Sequence, residues 1–124
     1  MTKIAIIGGG IAGLTLADTL RGKAEVTLFE KSRGVSGRMS TRYADPYFFD
    51  HGAQFFTAKT ERFKAFIEPL ITAGVVGRWD ACFVEFQKNQ ITKTRHWDDE
   101  YPHYVGVPGM NAIAKHLSQG IDIR

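Results

Sequence analysis

Gly8-Gly9-Gly10-Ile11-Ala12-Gly13 satisfies the spacing G-x-G-x-x-G, and the chemistry open to such a segment is the binding of a pyrophosphate. Each glycine has a physical role in that reading. Gly8 permits a tight turn out of a strand, Gly10 lets backbone approach the phosphates, and Gly13 lets a helix pack closely on a sheet. The helix opening at Ile11 and Ala12 offers unpaired N–H groups and a positive dipole end to the anion. Glu30 follows Gly8 by 22 residues, where a carboxylate can accept hydrogen bonds from an adenosine ribose. An acid rather than a base at this position disfavours a 2′-phosphate and prefers FAD or NAD to NADP. The alternative is a glycine-rich structural turn with no ligand.

The next segment, Lys31-Ser32-Arg33-Gly34-Val35-Ser36-Gly37-Arg38, separates FAD from NAD. Guanidinium groups pair well with phosphate oxygens, and glycines let the chain pass close to a ligand. An ordinary NAD-binding domain has no need of such a loop; the competing reading is a solvated basic turn.

These residues need elements to hold them. Lys3–Ile7 is a short, β-branched apolar run that reads as a strand buried on both faces, as in a parallel sheet. Ile11, Leu14, Ala17 and Ala12, Leu16, Leu20 recur at helical spacing up to Gly22, a C-cap residue. Glu25–Glu30 reads as a second strand. The first 30 residues are therefore one β-α-β unit, and the fold class is α/β with a Rossmann-like parallel sheet.

Residues 31–42 read as a loop, and Tyr47-Phe48-Phe49 as a short strand ending at Asp50-His51-Gly52. A helix from Thr60 places Phe63, Phe66, Ile67, Leu70 and Ile71 on one face. Thr60 caps it, Glu61 complements its dipole, and Pro69 is expected to kink or split it. Val75–Trp79, Ala81–Gln87 and Gln90–Trp97 read as extended, the last two pairing across a Lys88-Asn89 turn. Met110, Ile113, Ala114 and Leu117 define a further amphipathic helix closed near Gly120, and Ile121–Arg124 begins a strand. A sheet with an unfinished edge there invites self-association.

Composition narrows the partners. Among 124 residues, 16 Lys+Arg face 13 Asp+Glu, a net charge of +3. Lys31, Arg33, Arg38 and Arg42 account for the excess, leaving 12 bases against 13 acids elsewhere. A nucleic-acid binder spreads its charge along a groove or helix; one basic loop suits a small phosphorylated ligand. The uncharged stretch from Ile4 to Ala17 has 14 residues, too few to span a bilayer, and its glycines disfavour a secretory leader. The single Cys82 implies no disulfide scaffold, so a cytoplasmic setting is expected. His96, His103 and His116 lack metal-ligand spacing with one another or with Cys82, so no metal site is expected. Cys82 reads as a packed thiol, Phe48, Phe49, Phe55 and Phe56 as core, and Trp79 and Trp97 as core or interface. His51, beside Asp50, reads as structural, since proton transfer needs a partner geometry.

The pattern G-G-G-I-A-G, then V-T-L-F-E-K, then S-R-G-V-S-G-R-M-S-T-R resembles the start of the FAD-dependent amine-oxidase superfamily. Within it, Asp50 to Thr57 and Tyr104 to Ala112 resemble the renalase-like bacterial flavoproteins. Ser36 stands where that family usually carries the first glycine of a Gly-Gly-Arg; a serine keeps the turn if its φ is negative. The resemblance implies that Gly8, Gly10 and Gly13 hold the pyrophosphate and Glu30, with Lys31 beside it, the ribose. It places Arg38 over the phosphates and ribityl side with Arg33 and Gly37 as neighbours, and Gly52, Ala53 and Gln54 near the isoalloxazine ring. Residues 1–57 would be the dinucleotide-binding unit and flavin loop, and 58–108 part of a substrate-side region. Residues 109–124 would return a helix and strand to the nucleotide-binding sheet. Members are well over twice this long, so the chain would correspond to their front part. The implied activity is hydride transfer from a small-molecule substrate, a dihydronicotinamide or an amine, to FAD and then to oxygen. The alternative is a nucleotide-holding domain without turnover.

Overall fold

A computed structural model describes residues 1–97 and 99–124. The β-branched run Lys3–Ile7 forms β1, and Gly8 turns the chain into helix α1, Ile11–Thr19. The chain returns as β2, Glu25–Phe29, parallel to β1 in a register running from Lys3↔Glu25 to Ile7↔Phe29. At the far end of the sequence Asp122–Ile123, here β10, adds in parallel to the other edge of β2. The strand order is therefore β1-β2-β10, with β2 central. One face of this sheet carries the core: Ile6 and Leu28 pack with Leu14 and Ala17 of α1 and with Ile113, Ala114 and Leu117 of helix α3, Asn111–Leu117. Contrary to the two-sided burial expected of β1, the opposite face is open, with Ile7 81% and Phe29 41% exposed. Both helices that touch the sheet lie on the same side, so only alternate residues of each strand are covered.

Between these ends the chain builds the second layer. Thr41–Ala44 (β3) and Tyr47–Asp50 (β4) form an antiparallel hairpin, so the expected loop 31–42 ends in a strand rather than running on. Arg42 is extended because it pairs with Phe49, a partner no local pattern marks. The Tyr43 hydroxyl accepts from Asn111 Nδ2 and Lys115 Nζ, both at 2.7 Å, tying the hairpin to α3. Those two donors hold the phenol below its ordinary pKa, the lysine contributing most.

Phe56–Thr57 (β5), Val76–Arg78 (β6) and His103–Gly106 (β9) make an antiparallel sheet in the order β5-β9-β6. Helix α2, Glu61–Thr72, precedes β6, and the Thr60 hydroxyl accepts from Phe63 N at 3.2 Å as its cap. The helix runs through Pro69 without interruption. The bond Pro69 cannot make would go to Ala65, whose exposed position leaves its carbonyl to water, while burial of Ile67 and Leu70 on the other face holds the helix together.

Cys82–Gln87 (β7) and Gln90–His96 (β8) pair across Lys88 and Asn89, whose φ values of 49° and 61° are those of a two-residue hairpin turn. Among the described residues no second layer covers this hairpin, and Cys82 is exposed rather than packed. The aromatic residues expected in the core also divide. Phe56 joins it, whereas Phe48, Phe49 and Phe55 are 53%, 52% and 43% exposed. Phe55 instead clusters with Trp79, Trp97 and His103, where the Trp97 and His103 rings stack at 3.7 Å. The chain is thus a mixed α/β structure with a Rossmann-like parallel sheet at one end. Among the described residues no helix is long and apolar enough to cross a membrane.

Candidate functional site

The turn from β1 into α1 is built by close backbone approach. Gly8 has a φ of 102°, and its N–H donates to the Phe29 carbonyl at 2.8 Å. A Cβ on Gly13 would lie 2.1 Å from the Gly8 carbonyl oxygen, so only glycine lets α1 sit this near the strand. A Cβ on Gly10 would meet nothing within 4 Å, leaving that backbone open to an approaching group. The first intrahelical bond runs from Leu14 N to Gly10 O; the amides of Ile11, Ala12 and Gly13 precede it and have no helical acceptor. Among the described residues no side chain caps this end, and no acid stands in its first turn. Nothing within the helix itself offsets its positive dipole end, which suits an anion.

Glu30, at the end of β2, is bound into the same turn. One carboxylate oxygen accepts from Gly9 N at 2.6 Å and the other from Ser32 N at 2.9 Å. The Ser32 and Gly9 backbone donors, helped by Lys31, hold the carboxyl below its ordinary value of 4.5. Glu30 is therefore ionised at neutral pH, and each oxygen keeps a lone pair for a hydroxyl.

The loop that follows docks back onto the glycine turn. Ser36 N donates to the Gly9 carbonyl at 2.9 Å, and residues 10 and 36 form an isolated parallel bridge. Ser36 adopts φ 130° and ψ −24°, so the condition of a negative φ under which serine would keep the turn is not met. Loop closure onto Gly9 and Gly10 imposes a glycine-type conformation on an L-residue, at a cost of about 1–3 kcal/mol. Gly37 to Met39 then form a single 3₁₀ turn.

That turn meets the end of β4. Ala53 N donates to the Arg38 carbonyl at 2.9 Å, and a Cβ on Gly52 would lie 2.2 Å from the same oxygen. The result is an open groove of 670 Å³ lined by Ile11, Gly37, Arg38, Met39, Ser40, His51, Gly52 and Ala53. His51 Nε2 lies 3.4 Å from Ser40 Oγ. Ile11, Met39 and Ala53 also border an apolar cavity of 220 Å³ walled by Phe56, Phe63, Phe66 and Met110. Ile11 at the start of α1, Arg38 and an apolar recess thus adjoin one another.

Not every expected residue joins the groove. Gly8, Gly10, Ala12, Gly13 and Glu30 form the adjoining turn and are not in its lining. Lys31 and Arg33 are exposed and also absent from it, and Gln54 lines a separate depression with Phe48, Phe49 and Trp79. The reading of the sequence also missed the residue that anchors this region. Asp50 Oδ1 accepts from Thr41 Oγ1 at 2.6 Å and from Met110 N at 3.0 Å, and Thr41 Oγ1 accepts from Asn111 N at 3.2 Å. Asp50 is a cap for α3 delivered from 60 residues away, rather than a partner for His51. Asp50→Ala is expected to lower stability by about 1–2 kcal/mol, as loss of a helix cap does; urea unfolding checks it, with Asp50→Asn retaining most of the stability.

Three likenesses place this geometry among known proteins. The 4,4′-diapophytoene desaturase of Staphylococcus aureus is 45% identical over 51 residues, covering 40% of this chain and 10% of that protein. Putrescine oxidase, solved with putrescine bound, superposes over 78% of this chain and 21% of its own, with a TM-score of 0.52 and 23% identity. An oxidoreductase from Methanosarcina mazei covers 80% of this chain and 25% of its own, with a TM-score of 0.50 and 16% identity. The two structures share the fold. The chain spans about a tenth of the length of the desaturase and a quarter or less of the solved oxidoreductases. The family model of the NAD(P)-binding Rossmann-like domain matches residues 6–70, the segment holding the glycine turn, Glu30, the Arg38 loop and Gly52-Ala53, and the chain belongs to that family.

Proposed function

We propose that this chain is the FAD-binding portion of a flavin-dependent oxidoreductase of the amine-oxidase and renalase-like kind. The observation that carries the reading is the docking of the loop at Ser36 onto Gly9 and Gly10, which brings Arg38 to line one groove with Ile11, the first residue of the uncapped α1. A site for NAD alone needs the glycine turn and the acid; a second, basic wall beyond these supports FAD.

On this reading the backbone from Gly8 to Gly13 binds the pyrophosphate and Glu30 accepts from the ribose hydroxyls. Arg38 neutralises phosphate charge, and Gly52 and Ala53 border the ring with backbone and a methyl group. The apolar recess beside Ile11 and Met39 excludes water from that end of the groove. Bound FAD would supply the hydride acceptance and the passage of electrons to oxygen; the protein's part is binding, orientation and exclusion. The likeness to putrescine oxidase, solved with the amine putrescine bound, supports an amine as the reduced substrate; a dihydronicotinamide is the other candidate of this reading.

The test is uptake of FAD by the purified chain, followed by rapid mixing with dihydronicotinamide or an amine. Flavin absorbance that bleaches at a substrate-saturable rate is the expected result. Uptake without bleaching points to a nucleotide-holding role, and a colourless protein that takes up no FAD overturns the proposal.

A further inference from the structure

We propose that Ser36 is a phosphate-binding residue, its hydroxyl donating to a pyrophosphate oxygen of the dinucleotide; the assignment rests on the dinucleotide reading above. Only three non-glycine residues in the described structure have positive φ, and the other two, Lys88 and Asn89, form a hairpin turn that asks for it. Ser36 has no such excuse, because glycine would adopt φ 130° without strain.

Three observations say what the side chain is for. Ser36 is 4% exposed, and its backbone is fully used: its N–H goes to the Gly9 carbonyl at 2.9 Å and its carbonyl accepts from Met39 N at 3.0 Å. The hydroxyl, by contrast, has no partner among the described residues. Yet no side-chain oxygen among the described residues is both sealed from the surface and unpartnered, so this hydroxyl keeps an opening. A buried residue with a free O–H, bridged to the open glycine of the phosphate turn, has one polar group left to give. An O–H donor to an anionic oxygen is among the stronger hydrogen bonds, and backbone strain of this kind persists where a side chain has work at a site.

The experiment compares the unsubstituted chain with Ser36→Ala and Ser36→Gly, titrating each with FAD and with ADP and melting each without ligand. Both variants are expected to bind both ligands about tenfold or more weakly. Ser36→Gly is at the same time expected to melt several degrees higher, so stability and affinity move in opposite directions. A merely structural serine would not do this. Ser36→Gly that binds FAD as tightly as the unsubstituted chain, or more tightly, overturns the assignment alone. Failure of the unsubstituted chain to take up either ligand overturns the dinucleotide reading and this assignment together.

Discussion

Gly13→Ala is expected to destabilise the chain by about 3 kcal/mol, the upper end of the cost of overpacking, and to abolish FAD uptake. The added methyl would sit 2.1 Å from the Gly8 carbonyl oxygen. Because the obstacle is backbone, no rotamer change relieves it; α1 has to move away from β1 and carry its free amides with it. Gly10→Ala provides the contrast. Residue 10 has φ −78° and ψ 179°, which any residue adopts, and its Cβ meets nothing within 4 Å. That variant should melt like the parent while its methyl blocks the approach of phosphate. Thermal melting with FAD titration separates the two. Equal melting temperatures for Gly13→Ala and the parent would show that α1 tolerates displacement and that close packing does not position the site.

Arg38→Ala is expected to weaken FAD binding by about 1.5–3 kcal/mol, the range for hydrogen bonds to charged groups. Arg38 lines the groove through a turn pinned at both ends, by Ser36 on the glycine turn and by Ala53 on the Arg38 carbonyl. Its backbone is held without help from the guanidinium, so truncation removes the charge without releasing the loop. Lys88→Ala, at the tip of the exposed β7–β8 hairpin, removes the same charge from elsewhere and should leave affinity unchanged. Isothermal titration at two salt concentrations distinguishes the cases. Equal losses from both variants would mean diffuse attraction and no clamp at the groove.

Where the determinants lie close along the chain, the sequence alone decided the outcome. The β-α-β unit follows from an apolar run, a glycine turn and a helical repeat that are adjacent in sequence, so periodicity and turn chemistry suffice. Thr60 as a cap and Lys88-Asn89 as a turn are legible for the same reason, since each acts within a few residues of itself. Tertiary structure decided whatever depends on a partner far away. Arg42 is strand rather than loop because Phe49 pairs with it, and Asp50 serves α3 because the hairpin carries it to Met110. Phe48, Phe49 and Cys82 have core-like residue types but are exposed. Composition cannot reveal which face a neighbour will cover. Ser36 shows the division most sharply. Its residue type favours negative φ, and only closure of the loop onto Gly9 and Gly10 forces the backbone to 130°. A local preference worth about 1–3 kcal/mol yields there to contacts that exist only in the folded chain.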